Sequence, residues 1–201
     1  MRLPIRMLLA GCVAFCCAAN SANAATIFLA DLTGDQEVPN PVVTNAYGTG
    51  TFILSDDQTE LSYSVEIYGL DIGDIRTPEP DDNITGTHLH NAPAGANGPV
   101  VFGMIGPQHD VVDRKITIND GNAGSIVLEG IWNVADEAEG ADALANQIGN
   151  LLSGDIYINV HTPGNGGGEI RGQLYVIPEP AAVGLAGLAV LGIAAARRRR
   201  R

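Results

Sequence analysis

Cysteine is missing from the body of this chain: its three cysteines, Cys12, Cys16 and Cys17, all lie near the N-terminus. Without them no disulfide can staple the fold and no thiol can act as a nucleophile, so packing alone must hold the domain. Basic residues are almost as scarce. Residues 25–177 contain Arg76, Arg114, Lys115 and Arg171 against 22 acidic residues, a net charge of −18. A surface of that sign repels nucleic acid and anionic lipid. It favours solubility and divalent cations, and adhesion to an anionic polysaccharide would need a bridging cation or a neutral partner. Several catalytic signatures are absent too. There is no Gly-x-Ser-x-Gly elbow. Gly166-Gly167-Gly168 opens a strand rather than a helix and lacks a P-loop lysine. Asp56-Asp57 and Asp81-Asp82 do not have EF-hand spacing, and the carboxylates are too many to single out a glycosidase pair.

Long apolar runs occur at the two ends. Arg2 and Arg6 form a basic start, an apolar run extends from Met7 to Ala19, and Ala22-Asn23-Ala24 places small residues where signal peptidase reads them. This layout predicts a secretory signal peptide over residues 1–24, cut before Ala25. Leu9-Ala10-Gly11-Cys12 is a rival lipoprotein-type cut at Cys12. It would leave a very short leader, and the apolar run continues past it through Val13 and Phe15.

At the other end, Pro178-Glu179-Pro180 precedes 16 uncharged residues, Ala181 to Ala196, and then five arginines. As a helix the uncharged stretch spans roughly 24 Å, a little short of a ~30 Å hydrocarbon core. Snorkelling arginines and bilayer thinning cover such a gap, and the arginine cluster stays cytoplasmic. Motif, helix and cluster in this order resemble the PEP-CTERM sorting signal over residues 177–201. The resemblance implies an exosortase that cuts near Pro178-Glu179-Pro180, transient residence in the inner membrane, and delivery to the cell surface or extracellular matrix. An uncut tail anchor is the alternative.

Between the ends, strand signals dominate. Residues 61–68 alternate cleanly, with Leu61, Tyr63, Val65 and Ile67 on one face. Further strands are expected at Thr26–Asp31, Thr49–Leu54, Thr85–His90, Val100–Ile105, Lys115–Asn119, Ser125–Trp132, Asp155–His161 and Glu169–Ile177. Residues 71–83 and 93–99 read as loops. Ala141–Leu152 has helical spacing, with Gly154 as its stop. About nine short strands and one short helix predict an all-β domain over residues 25–176, an antiparallel β-sandwich or flattened barrel.

The histidines are the strongest chemical signal. His88-Leu89-His90 places two imidazoles on one face of a strand, with Leu89 toward the core. His161 ends a strand in which Ile156, Ile158 and Val160 face inward, so it too lies opposite the apolar side. Were these strands neighbours, His88, His90 and His161 could hold Zn²⁺ or Cu²⁺. His109 sits in a polar loop and reads as solvated. Glu169 and Arg171 read as a structural ion pair. Trp132 or the tyrosines would have to be exposed for a glycan-binding groove.

Leu32-Thr33-Gly34-Asp35-Gln36-Glu37-Val38-Pro39 and Gly48-Thr49-Gly50-Thr51-Phe52 resemble the opening of a CHRD domain, the module named from chordin. Thr87-His88-Leu89-His90 with Asn97-Gly98-Pro99-Val100-Val101 resembles its centre. Tyr157-Ile158-Asn159-Val160-His161-Thr162 and Gly168-Glu169-Ile170-Arg171-Gly172-Gln173-Leu174 resemble its end. The resemblance implies a β-rich extracellular module with no general enzymatic activity. The His-x-His strand is also similar to one in copper/zinc superoxide dismutase. Four histidines cannot fill that enzyme's two-metal site with a bridging imidazole, and its cysteines are absent, so superoxide chemistry is not expected. The leading expectation is a non-enzymatic interaction module on the surface or in the matrix, with exopolysaccharide or surface proteins as partners. The alternative is a three-histidine metal-binding domain with redox or hydrolytic activity.

Overall fold

The computed structural model of the protein describes residues 25–106, 110, 112–120 and 124–177. Ala22, Ala24, Pro178, Glu179, Pro180, the expected membrane helix 181–196 and His109 lie outside them. Among the described residues ten strands follow in chain order: β1 (Thr26–Thr33), β2 (Tyr47–Leu54), β3 (Leu61–Tyr68), β4 (Gly86–Asn91), β5 (Val100–Ile105), β6 (Lys115–Asn119), β7 (Ser125–Trp132), β8 (Ile156–His161), β9 (Ile170–Gln173) and β10 (Tyr175–Val176). A single turn of helix, α1 (Val134–Glu137), and one longer helix, α2 (Leu144–Ser153), stand between β7 and β8. The antiparallel all-β reading with one short helix holds. The strands form one sheet in the order β5-β4-β8-β9-β1-β2-β3-β7-β6, with β10 added to β1, and the sheet curls into a half-barrel.

One face of the curled sheet holds the core. Phe28, Phe52, Val65, Leu89, Phe102, Trp132, Ile158 and Ile170 are all buried there. Each such side chain contributes about 1.5–3 kcal/mol when taken from water. Along β3 the alternation is the expected one, with Leu61, Tyr63, Val65 and Ile67 buried and the residues between them more exposed. Helix α2 packs Leu144 and Leu151 into the core, and Gly154 ends it in the left-handed conformation, φ 78°.

Two features differ from the sequence pattern. The last strand was expected to run unbroken from Glu169 to Ile177, yet it divides at Leu174. There the Leu174 N–H donates to Ile156 O at 2.9 Å, its side chain is buried, and the chain moves on from β8 to pair with β1. Secondly, β4 and β8 are buried on both faces for almost their whole length. Their inner residues join the core. Their outer residues lie under the segments 34–45, 92–99 and 162–168, which is why histidines on the non-core face are not simply washed by solvent.

Candidate metal centre

Strands β4 and β8 are antiparallel neighbours, with His88 opposite Asn159, His90 opposite Tyr157 and Gly86 opposite His161. Side-chain alternation then places His88, His90, Tyr157, Asn159 and His161 on one face. The three expected ligands come together: one ring nitrogen from each of His88, His90 and His161 lies within 4.8 Å of the others. Ring centroids are 5.1 Å apart for His88 and His161, 5.8 Å for His88 and His90, and 6.1 Å for His90 and His161. Tetrahedral zinc with Zn–N near 2.0–2.1 Å brings its ligand nitrogens to about 3.4 Å. The triad is therefore somewhat wider than a metal-bound one.

Two of the rings are already set for coordination. His90 Nδ1 donates to Gly98 O at 3.0 Å, and His161 Nδ1 donates to Gly166 O at 3.2 Å. A carbonyl can only accept, so Nδ1 carries the proton and the lone pair is on Nε2. Both Nε2 atoms are buried without a hydrogen-bond partner. A carbonyl behind the ring is also how metal-binding imidazoles are oriented. Burial lowers the pKa of His90 and of His161, which keeps both rings neutral and able to donate a lone pair.

Gly86 makes room for the third ring. A Cβ there would lie 2.7 Å from His88 Cε1 and 3.4 Å from His161 Cδ2. On the other side of β4, pairing with β5 slips between Thr87 and His88 and again between Leu89 and His90. Such bulges re-aim side chains and are common beside functional sites. A cavity of about 300 Å³, lined by the three histidines with Thr85, Gly86, Val100 and Gly166, opens onto the triad.

A stack supports His90. Tyr157 lies parallel to it, ring centroids 4.8 Å apart and planes 10° off. The Arg171 guanidinium sits 3.4 Å above the far face of Tyr157. Arg171 is 2 % exposed and donates to Ala96 O at 2.7 Å and Asn97 Oδ1 at 3.0 Å. Tyr157 Oη accepts from the Gly98 N–H at 3.3 Å. The loop that supplies the carbonyl behind His90 is thus fixed from two sides. The Glu169–Arg171 ion pair expected from the sequence is not formed. Glu169 turns back into its own loop, accepting from Thr162 Oγ1 at 3.0 Å and from Asn165 Nδ2. Trp132 is fully buried, stacked on Phe102 and donating from Nε1 to Asp142 O at 3.1 Å, so it cannot form a glycan platform. Sequence reasoning did not mark Gly86, Tyr157 or Arg171 as parts of this site. Tyr157 alone carried a signal, through its place on the same face as His161.

A curled antiparallel sheet with a histidine cluster on the face opposite the core defines a β-rich module. Residues 28–174 match the CHRD domain and residues 176–201 match the PEP-CTERM protein-sorting motif. The chain belongs to the CHRD domain family. The sorting motif marks it as an exported protein that passes the membrane and is processed by an exosortase. No curated protein and no solved structure matches the chain. Among the described residues no helix is long and apolar enough to cross a membrane.

Proposed function

We propose that this is a surface or matrix protein whose CHRD domain is a non-enzymatic interaction module, with a transition-metal ion held by His88, His90 and His161 as its functional element. The observation that carries the reading is the convergence of three ring nitrogens within 4.8 Å on a part-covered polar face. Three neutral imidazoles suit Zn²⁺ or Cu²⁺ and leave a coordination position for an outside ligand. The ion would give an acidic domain a local positive charge. That is the chemistry by which it could meet carboxylate-rich exopolysaccharide or an acidic surface protein, and its charge excludes nucleic acid as a partner. In this reading signal peptidase cuts after Ala22-Asn23-Ala24, residues 25–176 form the working domain, and the tail from residue 177 crosses the inner membrane until the exosortase acts.

The test is metal content of the purified protein beside a His88→Ala/His90→Ala/His161→Ala variant. About one equivalent of Zn²⁺ or Cu²⁺ in the native protein, lost in the folded variant, is the expected result. No bound metal after incubation with either ion would overturn it. The cavity beside the triad favours one second reading, redox or hydrolytic turnover of a small molecule at the open position. Activity that appears with metal and vanishes in the triple variant would establish that reading.

A further inference from the structure

Glu37 takes no part in the metal centre, and its surroundings carry a separate message. It lies in the segment between β1 and β2 and is 4 % exposed. Its Oε2 accepts from Asn159 Nδ2 at 3.4 Å, while Oε1 is buried with no hydrogen-bond partner. Asn159, 3 % exposed, has the complementary defect: its Oδ1 is buried without a partner. The two oxygens border one place. A Cβ on Gly168 would lie 2.5 Å from Glu37 Oε2 and 2.6 Å from both Glu37 Oε1 and Asn159 Oδ1, so carboxyl and carboxamide crowd the same spot. Two acceptors brought together away from water repel, and each costs about 1–3 kcal/mol while unsatisfied. A carboxylate can share one hydrogen bond with a carboxamide. A carboxylic acid shares two, because its O–H donates while its carbonyl accepts.

We infer that Glu37 is held in the folded protein as the neutral acid, donating Oε1–H to Asn159 Oδ1 while Oε2 accepts from Asn159 Nδ2, and that this acid–amide pair is a proton-operated latch fastening segment 34–45 onto β8. The proton comes from water and returns to it when the latch opens. The charged groups around Glu37 are Arg171 on β9, Glu169 just before β9 and Asp35 on its own turn. Arg171 favours the carboxylate, but its hydrogen bonds go to Ala96 and Asn97. Glu169 favours the acid. Burial outweighs both and raises the Glu37 pKa from 4.5 to about 7.

The sign follows from linkage. A native acid with a raised pKa binds more protons than the opened segment between pH 4.5 and about 7, so closure weakens across that window and is level above it. The experiment is amide hydrogen exchange of residues 34–45 in the full-length protein, corrected for intrinsic rates. Protection is expected to fall by up to about tenfold per pH unit across the window. Glu37→Gln restores both hydrogen bonds without a titrating proton, so its protection should not fall there. An equal fall in Glu37→Gln, or a flat wild type, would overturn the latch. So would calcium restoring wild-type protection above the window, since a cation would then be the occupant. Infrared spectroscopy reads the acid directly. Its carbonyl band should titrate near 7 and survive in Asp136→Asn, a control needed because burial raises Asp136 to about 6 as well. Absence of that band from the wild type would also overturn the proposal, whether or not Glu37→Gln folds.

Discussion

Gly86 decides whether three imidazoles can share one place. Its backbone needs no unusual conformation, so its value is the space left by a missing side chain. Gly86→Ala would put a methyl group 2.7 Å from His88 Cε1, and that ring must turn away. The sheet pairing does not depend on a side chain there, so circular dichroism should remain native. Metal affinity should drop about 10–100-fold, the usual cost of disturbing the support of a metal ligand. Isothermal titration with Zn²⁺ measures it, and unchanged affinity would place the ion away from His88. At this scale the sequence was readable where chemistry follows the period of a strand. His88, His90 and His161 could be assigned to the polar face from alternation alone. Glu37 could not be paired with Asn159, because 122 positions separate them and no local pattern links them.

Elements carry the next level of order. Strand β4 brings two histidines and β8 the third, but the loop at 92–99 holds His90 in its Nδ1–H tautomer through Gly98 O. Arg171 fixes that loop and stacks on Tyr157, so it acts on the site without touching it. Removing it should cost about 3 kcal/mol, since each hydrogen bond from a charged group contributes about 1.5–3 kcal/mol. Arg171→Met is the variant to make, because it keeps much of the buried volume. Urea denaturation should show a lower midpoint, and zinc affinity should fall with it. Arg171→Lys should not rescue either quantity, because an ammonium lacks the planar fork that donates and stacks together. A full rescue by lysine would mean that charge alone matters. Strand positions were legible because burial on one face imposes a period of two. The order of strands was not, since β9 and β1 are far apart in the chain and meet through Thr33 and Arg171. The break at Leu174 was hidden for the same reason: it marks where one pairing partner replaces another.

For the molecule as a whole, charge is the dominant fact. Residues 25–177 carry −18, and their few cations are largely used internally. Arg171 is buried, Arg76 lies 3.7 Å from the buried carboxylate of Asp71, and Lys115 pairs with Glu129 at 3.0 Å. The charge that faces solvent is therefore nearly all anionic, and it repels itself in the compact state. Screening should relieve that repulsion. Raising sodium chloride from about 0.01 to 0.15 M shortens the Debye length from about 30 to about 8 Å. The thermal midpoint should rise by a few degrees, since ~1 kcal/mol shifts a domain of this size by about 2–4 °C. Calcium or magnesium should give the same rise at far lower concentration. A midpoint that falls with salt would show that attractive ion pairs outweigh the repulsion, against the two ion pairs found among the described residues. The same physics governs contact outside the cell. Were the partner a carboxylate-rich polysaccharide, as proposed above, a domain this acidic would approach it against its own field, and a cation at the interface would remove that barrier. Binding to an anionic polysaccharide should then require divalent metal, and the His88→Ala/His90→Ala/His161→Ala variant should separate an ion held by the triad from ions gathered loosely by the surface. Loss of binding in that variant assigns the contact to the metal centre, and retention assigns it to the surface as a whole.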